Sequence, residues 1–187
     1  MHDLAALTPL GATAPKVDRI GAMTISEVTD RALASVSCRA GKSTPFQSAA
    51  KKLFGTGLPT PGHWADGATY GLIWTGPEQW FVEAPFGTHE DIARIVKEPL
   101  GDTASVTEQT DGWVRFDLAG KTAVDMLERL CPVPARRMKK GDATRSIIEH
   151  MGCFVICREP DHFSLIAPRS FAGSLRHALC AAARSVA

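Results

Sequence analysis

The sequence predicts an α+β fold in which helices pack on one face of antiparallel sheets. Three observations support this class. The chain has 187 residues, of which 44% are apolar and 22% are charged, as in ordinary globular proteins. Short apolar runs bounded by Gly and Pro alternate with amphipathic helical patterns. These patterns occur twice in the order strand–helix–strand–strand–helix, so we expect a core built from two similar units.

The residue pattern of the first half predicts an arm, a strand pair, a helix, a hairpin and a second helix. Thr44 and Pro45 are typical of a helix start, as a capping residue and a first-turn proline. The Gly76-Pro77 step suits a tight turn between two strands, and Thr88 is a candidate cap for the second helix. The predicted elements are an irregular arm over 1–23, strands over 25–28 and 32–38, a helix over 47–54, strands over 69–74 and 79–83, and a helix over 89–98.

The pattern of the second half predicts a similar order, with a strand pair, a helix, three strands and a final helix. Asp111-Gly112 lies between two apolar strands and predicts a hairpin turn. Apolar residues at helical spacing over 122–130 predict a helix laid on a sheet, and Pro132 and Pro134 end it. The predicted elements are strands over 105–109 and 113–118, a helix over 122–130, a basic loop over 135–142, strands near 144–149, 153–157 and 162–166, and a helix that follows Ser170 and ends near Arg184.

Two pairs of matching segments indicate an internal repeat. Gly41 and Gly120 each follow a strand and precede a helix, and they are 79 residues apart (120 − 41). Pro85 and Pro168 are related in the same way and are 83 residues apart (168 − 85). Near-equal offsets predict two copies of a βαββα unit, which resembles the ferredoxin-like motif. The predicted boundaries are 24–187 for a single domain and about 24–101 and 102–187 for its two pseudo-repeats.

Composition argues against several classes of function. Lys and Arg number 21 and Asp and Glu number 20, so a net charge of +1 provides no overall field for nucleic acid or an anionic membrane. No apolar run approaches the roughly 20 residues that cross a bilayer, and the first residues lack the pattern of a secretory signal. The five cysteines are scattered and odd in number, unlike a disulfide framework. We therefore expect a reduced, cytoplasmic protein that binds neither nucleic acid nor membrane.

Two Gly-Lys steps are similar to part of a phosphate-binding loop. They lie at 41–43 (Gly-Lys-Ser) and 120–122 (Gly-Lys-Thr). A phosphate-binding loop needs another glycine five residues before the Gly-Lys pair, so that backbone N–H groups can surround the phosphate. Val36 and Arg115 occupy those two positions. Both steps are therefore interpreted as turns between a strand and a helix.

His150, Cys153 and Cys157 have residue types that bind zinc. Four converging ligands are typical of a zinc site, whereas Cys153 and Cys157 share one face of a predicted strand about 13 Å apart. We interpret both as small apolar residues of a sheet, and Cys131 and Cys180 as inert thiols on apolar helix faces. A zinc site through His150 and Cys153 stays an alternative.

The other candidate residues form no catalytic set. The basic run of the predicted loop is interpreted as a solvated loop, with two alternatives: it holds a carboxylate or phosphate, or it docks an acidic partner. The run contains Arg136, Arg137, Lys139 and Lys140. His150 beside Glu149 is either a base or a structural imidazole, and Ser170, Ser174 and His177 lack a nucleophile-elbow pattern. The tryptophans are core residues or, if exposed, interface residues; they are Trp64, Trp74, Trp80 and Trp113. We therefore assign no catalytic, cofactor-binding or metal-binding residue, and expect a binding module or an enzyme subunit.

The sequence from about 65 to 182 resembles the gamma subunit family of heterotetrameric sarcosine oxidase. The segments that carry the resemblance are 74–80 (Trp-Thr-Gly-Pro-Glu-Gln-Trp), 106–113 (Val-Thr-Glu-Gln-Thr-Asp-Gly-Trp), 127–132 (Leu-Glu-Arg-Leu-Cys-Pro), 148–153 (Ile-Glu-His-Met-Gly-Cys), 168–170 (Pro-Arg-Ser) and 174–176 (Ser-Leu-Arg). The resemblance implies a fold similar to the folate-binding domain of the glycine-cleavage T-protein. It also implies that the chain works in sarcosine catabolism and one-carbon metabolism as a non-catalytic, structural subunit.

The resemblance further implies the chemistry and the partners of the whole complex. Such a complex is an oxidoreductase that acts on the CH–NH group of sarcosine with oxygen as acceptor. It gives glycine and hydrogen peroxide, and it passes a one-carbon unit to tetrahydrofolate. The expected partners are the alpha, beta and delta subunits. FAD, FMN, NAD and tetrahydrofolate are associated with the two large subunits and zinc with delta, so this chain is expected to hold no cofactor.

An alternative function is a stand-alone folate-binding transferase or repair factor of the T-protein type. Gly152-Cys153-Phe154 and Glu159 are similar to the Lys-Gly-Cys-Tyr-x-Gly-Gln-Glu signature of folate-binding iron–sulfur repair proteins. Met151 stands in place of the lysine, and 156–159 (Ile-Cys-Arg-Glu) replaces Gly-Gln-Glu. This departure argues against a folate site in the chain.

Overall fold

The computed structural model describes residues 5–187, which divide into two compact units. The continuous unit is Asp30–Thr110. The split unit combines the residues up to Thr29 with Asp111–Ala187. Each unit has its own antiparallel sheet and its own buried cluster of apolar side chains.

The helices and the predicted strands follow one another in the predicted order, and two further strands, Val17–Ile20 and Trp64–Asp66, were not predicted. They are β1 (Val17–Ile20), β2 (Met23–Val28), β3 (Arg31–Cys38), α1 (Ser43–Phe54), β4 (Trp64–Asp66), β5 (Gly71–Gly76), β6 (Gln79–Pro85), α2 (Ile92–Leu100), β7 (Ala104–Glu108), β8 (Trp113–Ala119), α3 (Ala123–Leu130), β9 (Ala143–Ile148), β10 (Met151–Glu159), β11 (His162–Pro168) and α4 (Ala172–Ser185). No helix of residues 5–187 is long and apolar enough to span a bilayer.

The split unit is a six-stranded sheet with α3 and α4 on one face. The strand order is β1-β2-β8-β11-β10-β9, and every pair is antiparallel. Phe116 and Phe163 point from the sheet into a core that Leu127 of α3 and Leu179 of α4 close from the other side. Burial of such side chains contributes about 1.5–3 kcal/mol each.

The continuous unit is a five-stranded sheet in the order β4-β5-β6-β3-β7. Its core lies between the sheet and α1 with α2, and Phe46, Ile92 and Leu100 are fully buried there. The Trp80 indole N–H donates to the Pro59 carbonyl at 2.9 Å and its ring lies 5.6 Å from that of Phe46, so the loop after α1 is held against the sheet.

The two sheets share one strand order, but each pseudo-repeat contributes its first strand to the other sheet. The series β4-β5-β6-β3-β7 matches β9-β10-β11-β8-β2 strand for strand. β2 begins at Met23 and β7 at Ala104, an offset of 81 (104 − 23), in agreement with the predicted repeat. β2 nevertheless pairs with β8, and β7 pairs with β3. The α+β class with doubled, helix-covered antiparallel sheets is therefore confirmed.

This strand exchange corrects two predicted pairings. The strands around 25–28 and 32–38 exist as β2 and β3, but they lie in different sheets. The Asp111-Gly112 hairpin is wrong for the same reason, because β7 and β8 also lie in different sheets. Neither Asp111 nor Gly112 has the positive φ that a two-residue hairpin turn of this kind requires. Residues Thr110–Gly112 instead form a single 3-10 turn that leads from one unit to the other.

Three local expectations are also corrected. The arm over 1–23 is not irregular throughout, since Val17–Ile20 forms β1 and pairs with β2; residues 1–4 lie outside the described residues. α1 begins at Ser43, before the expected Thr44 cap. α2 begins at Ile92 and not after Thr88, which lies in a preceding 3-10 turn. The compact units divide at 29/30 and 110/111, as the strand exchange requires, and this is a division by contacts and not by sequence repeat.

Candidate functional site

A cluster of polar side chains lies on the helix-free face of the split unit's sheet. Alternation along β8 turns Phe116 and Leu118 toward the helices, so Arg115 and Asp117 lie on the opposite face. Asp117 is directly opposite Ser164 in the β8–β11 ladder. We call the following five residues the polar cluster: Arg115, Asp117, Arg158, His162 and Ser164.

Asp117 is the acceptor at the centre of the polar cluster. Arg115 donates to both carboxylate oxygens, from Nε at 2.8 Å and Nη2 at 2.9 Å. The Ser164 hydroxyl donates to Oδ1 at 2.7 Å and itself accepts from Arg158 Nε at 2.9 Å. His162 Nε2 lies 3.3 Å from Oδ2. A bidentate pair with further donors is a rigid, specific arrangement.

The charges of the polar cluster keep Asp117 ionised. Burial by itself raises the pKa of the Asp117 carboxyl, but the Arg115 guanidinium, the Ser164 hydroxyl and His162 outweigh it, and the pKa is lower than usual. A carboxylate stabilised as the anion by so many donors is a weak proton acceptor at neutral pH. The geometry therefore favours a structural role for Asp117 over a role as a general base.

The two Gly-Lys steps are strand-to-helix turns, as predicted. Gly41 has a positive φ of 73° between β3 and α1, and Lys42 Nζ forms an ion pair with Asp102 at 2.9 Å. Gly120 has a φ of 148° between β8 and α3, and its carbonyl accepts the Ala123 N–H at 3.0 Å.

The structure separates His150 from the two neighbouring cysteines. His150 and Glu149 both have positive φ and form the exposed two-residue turn between β9 and β10. Cys153 and Cys157 lie in the apolar core under the helices, as predicted for sheet residues. Burial raises the pKa of Cys153 to about 12 and that of Cys157 to about 11, so both stay protonated thiols. Within residues 5–187, no three His, Cys, Asp or Glu side chains are placed to share a metal ion.

Cys131 and Cys180 are buried in the same core, and burial raises the pKa of each thiol. Ser170, Ser174 and His177 are exposed at the start of α4, and the structure brings them into no common site.

Two of the four basic side chains in the basic run form ion pairs with carboxylates of the same unit. Arg136 pairs with Asp125 at 2.5 Å and with Glu128 at 2.9 Å, and Lys140 pairs with Glu159 at 2.5 Å. Arg137 and Lys139 are exposed, and their side-chain nitrogens form no ion pair with a carboxylate of the described chain, although the Lys139 backbone N–H donates to the Asp142 carboxylate at 2.8 Å. Two free cations therefore remain in the loop before β9.

Two of the tryptophans line a cleft of about 530 Å³ in the continuous unit. Trp74 is partly exposed, whereas Trp80 is buried and forms the base. Gln47, Lys51 and Glu78 add polar groups at the rim. Trp64 is buried, and Trp113 is partly exposed on β8 with its ring 5.9 Å from that of Phe154.

Sequence reasoning missed the polar cluster. The alternation of Arg115 and Asp117 with apolar residues was a usable signal, since it places both on one face of a strand. Their partners could not be found in the same way, because the β8–β11 pairing joins residues 47 positions apart.

Comparison with known proteins identifies the fold. A chain of the heterotetrameric sarcosine oxidase from Corynebacterium sp. U-96, solved in complex with pyrrole 2-carboxylate, matches with a TM-score of 0.77 and 19% identity over 90% of this chain and 87% of that chain. The glycine cleavage system aminomethyltransferase T from Bartonella henselae matches with a TM-score of 0.61 and 16% identity. That match covers 84% of this chain but 48% of the aminomethyltransferase, so this chain spans about half of its length.

No family model matches the sequence, and no curated protein matches it. The structural matches confirm the predicted fold class, including its similarity to the T-protein. The match to the oxidase chain also shows that the two chains are of closely similar length, since it covers nearly all of both.

Proposed function

We propose that this chain is the gamma subunit of a heterotetrameric sarcosine oxidase and acts in the cytoplasm as a structural subunit that holds its alpha, beta and delta partners. The observation that carries the proposal is the near-complete match, over 90% of this chain and 87% of the other, to one chain of such an oxidase. The six sequence segments that resemble the gamma subunit family support the same assignment.

The proposal divides the chemistry between this chain and its partners. The complex oxidises the CH–NH group of sarcosine with oxygen, releases hydrogen peroxide and transfers a one-carbon unit to tetrahydrofolate. FAD, FMN, NAD, tetrahydrofolate and zinc belong to the other subunits. The saturated Asp117 and the protonated thiols of Cys153 and Cys157 support a chain that contributes surface and not reactive groups.

Purification from the native cell tests this proposal. We expect a tagged chain to bring down three further subunits and a sarcosine-dependent peroxide activity, because the complex assembles around it. We expect the chain purified alone to produce no peroxide from sarcosine. Peroxide formation by the isolated chain, or the absence of any sarcosine-oxidising partner in the purified material, would contradict the proposal.

A folate-binding protein of the T-protein type remains a second candidate, and the tryptophan cleft is the observation that favours it. Trp74 and Trp80 offer apolar faces to a flat heteroaromatic ring, and Gln47 and Glu78 offer hydrogen-bonding groups beside them. Lys51 adds a positive charge that could pair with a ligand carboxylate.

Titration of the isolated chain with tetrahydrofolate separates the two candidates. If the chain is a structural subunit, we expect no saturable quenching of tryptophan fluorescence. Quenching with an affinity on the order of micromolar, lost in Trp74→Ala and retained in the control Trp113→Phe, would instead favour the folate-binding candidate.

A further inference from the structure

The strand β9 forms an open edge of the split unit's sheet. No other described strand pairs with it besides β10. The two-residue turn at Glu149 and His150 closes on the pair Ile148–Met151, and such a pair exchanges both backbone hydrogen bonds. Bonded and non-bonded pairs then alternate along an antiparallel ladder. Arg145 and Ile147 therefore direct their N–H and C=O groups away from the sheet.

The side chains at this edge are those of a contact surface. Ile147 is 59% exposed, and Arg145 is exposed with its guanidinium carbon 5.5 Å from the centre of the Phe154 ring. A cleft of about 590 Å³ runs beside β9, and its other wall contains Pro132 and Pro134. Pro132 and Pro134 have no N–H, and within residues 5–187 no backbone hydrogen bond joins this wall to β9. An exposed strand edge beside a large apolar side chain is a template for another strand.

The positive charge around β9 favours an acidic strand as its partner. The side-chain cations of Arg137 and Lys139 in the preceding loop form no ion pair with a carboxylate of the described chain, and neither does the guanidinium of Arg145. Over 136–149 five basic residues stand against two acidic ones. A second copy of this chain would bring the same positive charges to the edge, and like charges opposed across strands are unfavourable. An acidic segment avoids that repulsion, and its carboxylates can form ion pairs with Arg137, Lys139 and Arg145.

We propose that β9 binds an extended acidic segment of a partner polypeptide by β-strand addition. The backbone of that segment pairs with Arg145 and Ile147, an apolar side chain packs on Ile147, and carboxylates face Arg145 and the cations of the preceding loop. This inference rests on the proposed function only for the identity of the partner, which would be a neighbouring subunit of the complex.

The opposite edge of the same sheet provides matched controls. Val17 and Arg19 of β1 also point their backbone groups outward, because β1 and β2 close on the pair Ile20–Met23 across a two-residue turn. Proline at an outward-pointing edge position removes one free donor and leaves the inner ladder intact. Ile147→Pro is therefore compared with Val17→Pro, and Arg145→Glu with Arg19→Glu.

A peptide titration followed by NMR tests the inference. The probe is a synthetic peptide of alternating valine and glutamate as long as β9, six residues, and its lysine counterpart is the control peptide. We expect the acidic peptide to slow exchange of the Arg145 and Ile147 N–H groups. Ile147→Pro removes one backbone hydrogen bond and Arg145→Glu removes one charge-assisted contact, so each should weaken binding about tenfold. Val17→Pro and Arg19→Glu should leave it unchanged.

Several results would overturn the inference. These are unchanged exchange at β9 with the acidic peptide, equal binding of the lysine peptide, equal weakening by the β1 variants, and a dimer of the chain that Ile147→Pro dissociates. If Ile147→Pro does not fold, Arg145→Glu still decides. If the oxidase subunits co-purify equally well with Ile147→Pro, the proposed function is supported and the β9 site is refuted. If the acidic peptide binds specifically at β9 but no oxidase subunit co-purifies, the β9 site is supported and the proposed function is refuted.

Discussion

Replacing Gly120 by alanine is expected to destabilise the protein by about 3 kcal/mol, through backbone strain and overpacking together. A Cβ at this position would lie 2.2 Å from the Ala22 carbonyl oxygen and 2.9 Å from Met23 Sδ. The φ of 148° is also rarely adopted by residues with a side chain. The backbone cannot move aside, because the Gly120 N–H donates to the Asp161 carbonyl at 2.9 Å. Urea unfolding gives the change in free energy.

Gly41→Ala is the matched control for Gly120→Ala. It stands in the same Gly-Lys turn of the other pseudo-repeat and has a positive φ of 73°, but a Cβ there meets nothing within 4 Å. This variant carries only the cost of the left-handed conformation, about 1 kcal/mol. Equal losses for the two variants would show that the contact with the β1–β2 turn contributes nothing.

Removing the carboxylate of Asp117 is expected to cost a similar free energy. The side chains of Asp117 and Arg115 are 19% and 15% exposed, so Asp117→Ala leaves a mostly buried guanidinium without its bidentate partner. Breaking a buried pair in this way costs about 3 kcal/mol. The control Asp125→Ala breaks the ion pair with Arg136 where Asp125 is 45% exposed, and it should cost less than about 1 kcal/mol. Urea unfolding at neutral pH compares the two, and a loss no larger than the control's would refute the structural role of the polar cluster.

The same carboxylate gives a defined dependence of stability on pH. The pKa of Asp117 in the folded chain is below the value of about 3.9 expected when it is unfolded. As the pH falls below about 4, the unfolded chain takes up the proton first. The contribution of Asp117 to stability is therefore complete above that pH and is lost as the pH falls to the pKa of Asp117 in the folded chain. Asp117→Ala should therefore show a shallower loss of stability on acidification than the unsubstituted protein. Asp18, whose pKa is lowered mainly by its hydrogen bond with Arg176, adds to the loss in both.

The elements that sequence reasoning located are those set by local patterns. The helical spacing over 122–130 appears as α3, and the Gly76-Pro77 turn joins β5 to β6 as expected. The repeat offsets of 79 and 83 indicated two similar units, and the two sheets do share one strand order. The helix and turn signals depend on residues a few positions apart, and the repeat signal compares two such local patterns, which is why a single sequence reveals them.

The features that sequence reasoning missed depend on distant residues. An Asp-Gly step favours a hairpin in isolation, but β2 and β11 occupy both hydrogen-bonding edges of β8 and leave no place for β7. The polar cluster needs that same pairing to bring Ser164 beside Asp117. The free cations of the basic run could be proposed from the sequence, whereas the pairing of Arg136 with α3 could not.

Because each pseudo-repeat contributes its first strand to the other sheet, the two units obtain all their strands at different stages of synthesis on the ribosome. The continuous unit is complete in one stretch, so it can begin to fold once Thr110 has emerged. β2 can pair with β1 early, but Ile25 must wait for Leu118, which is 93 residues later (118 − 25), before β2 gains its second partner, β8. Long sequence separations slow folding, so the nascent chain carries the β1–β2 hairpin without the rest of its sheet while those 93 residues are made. This hairpin is the segment on which a cotranslational chaperone would act.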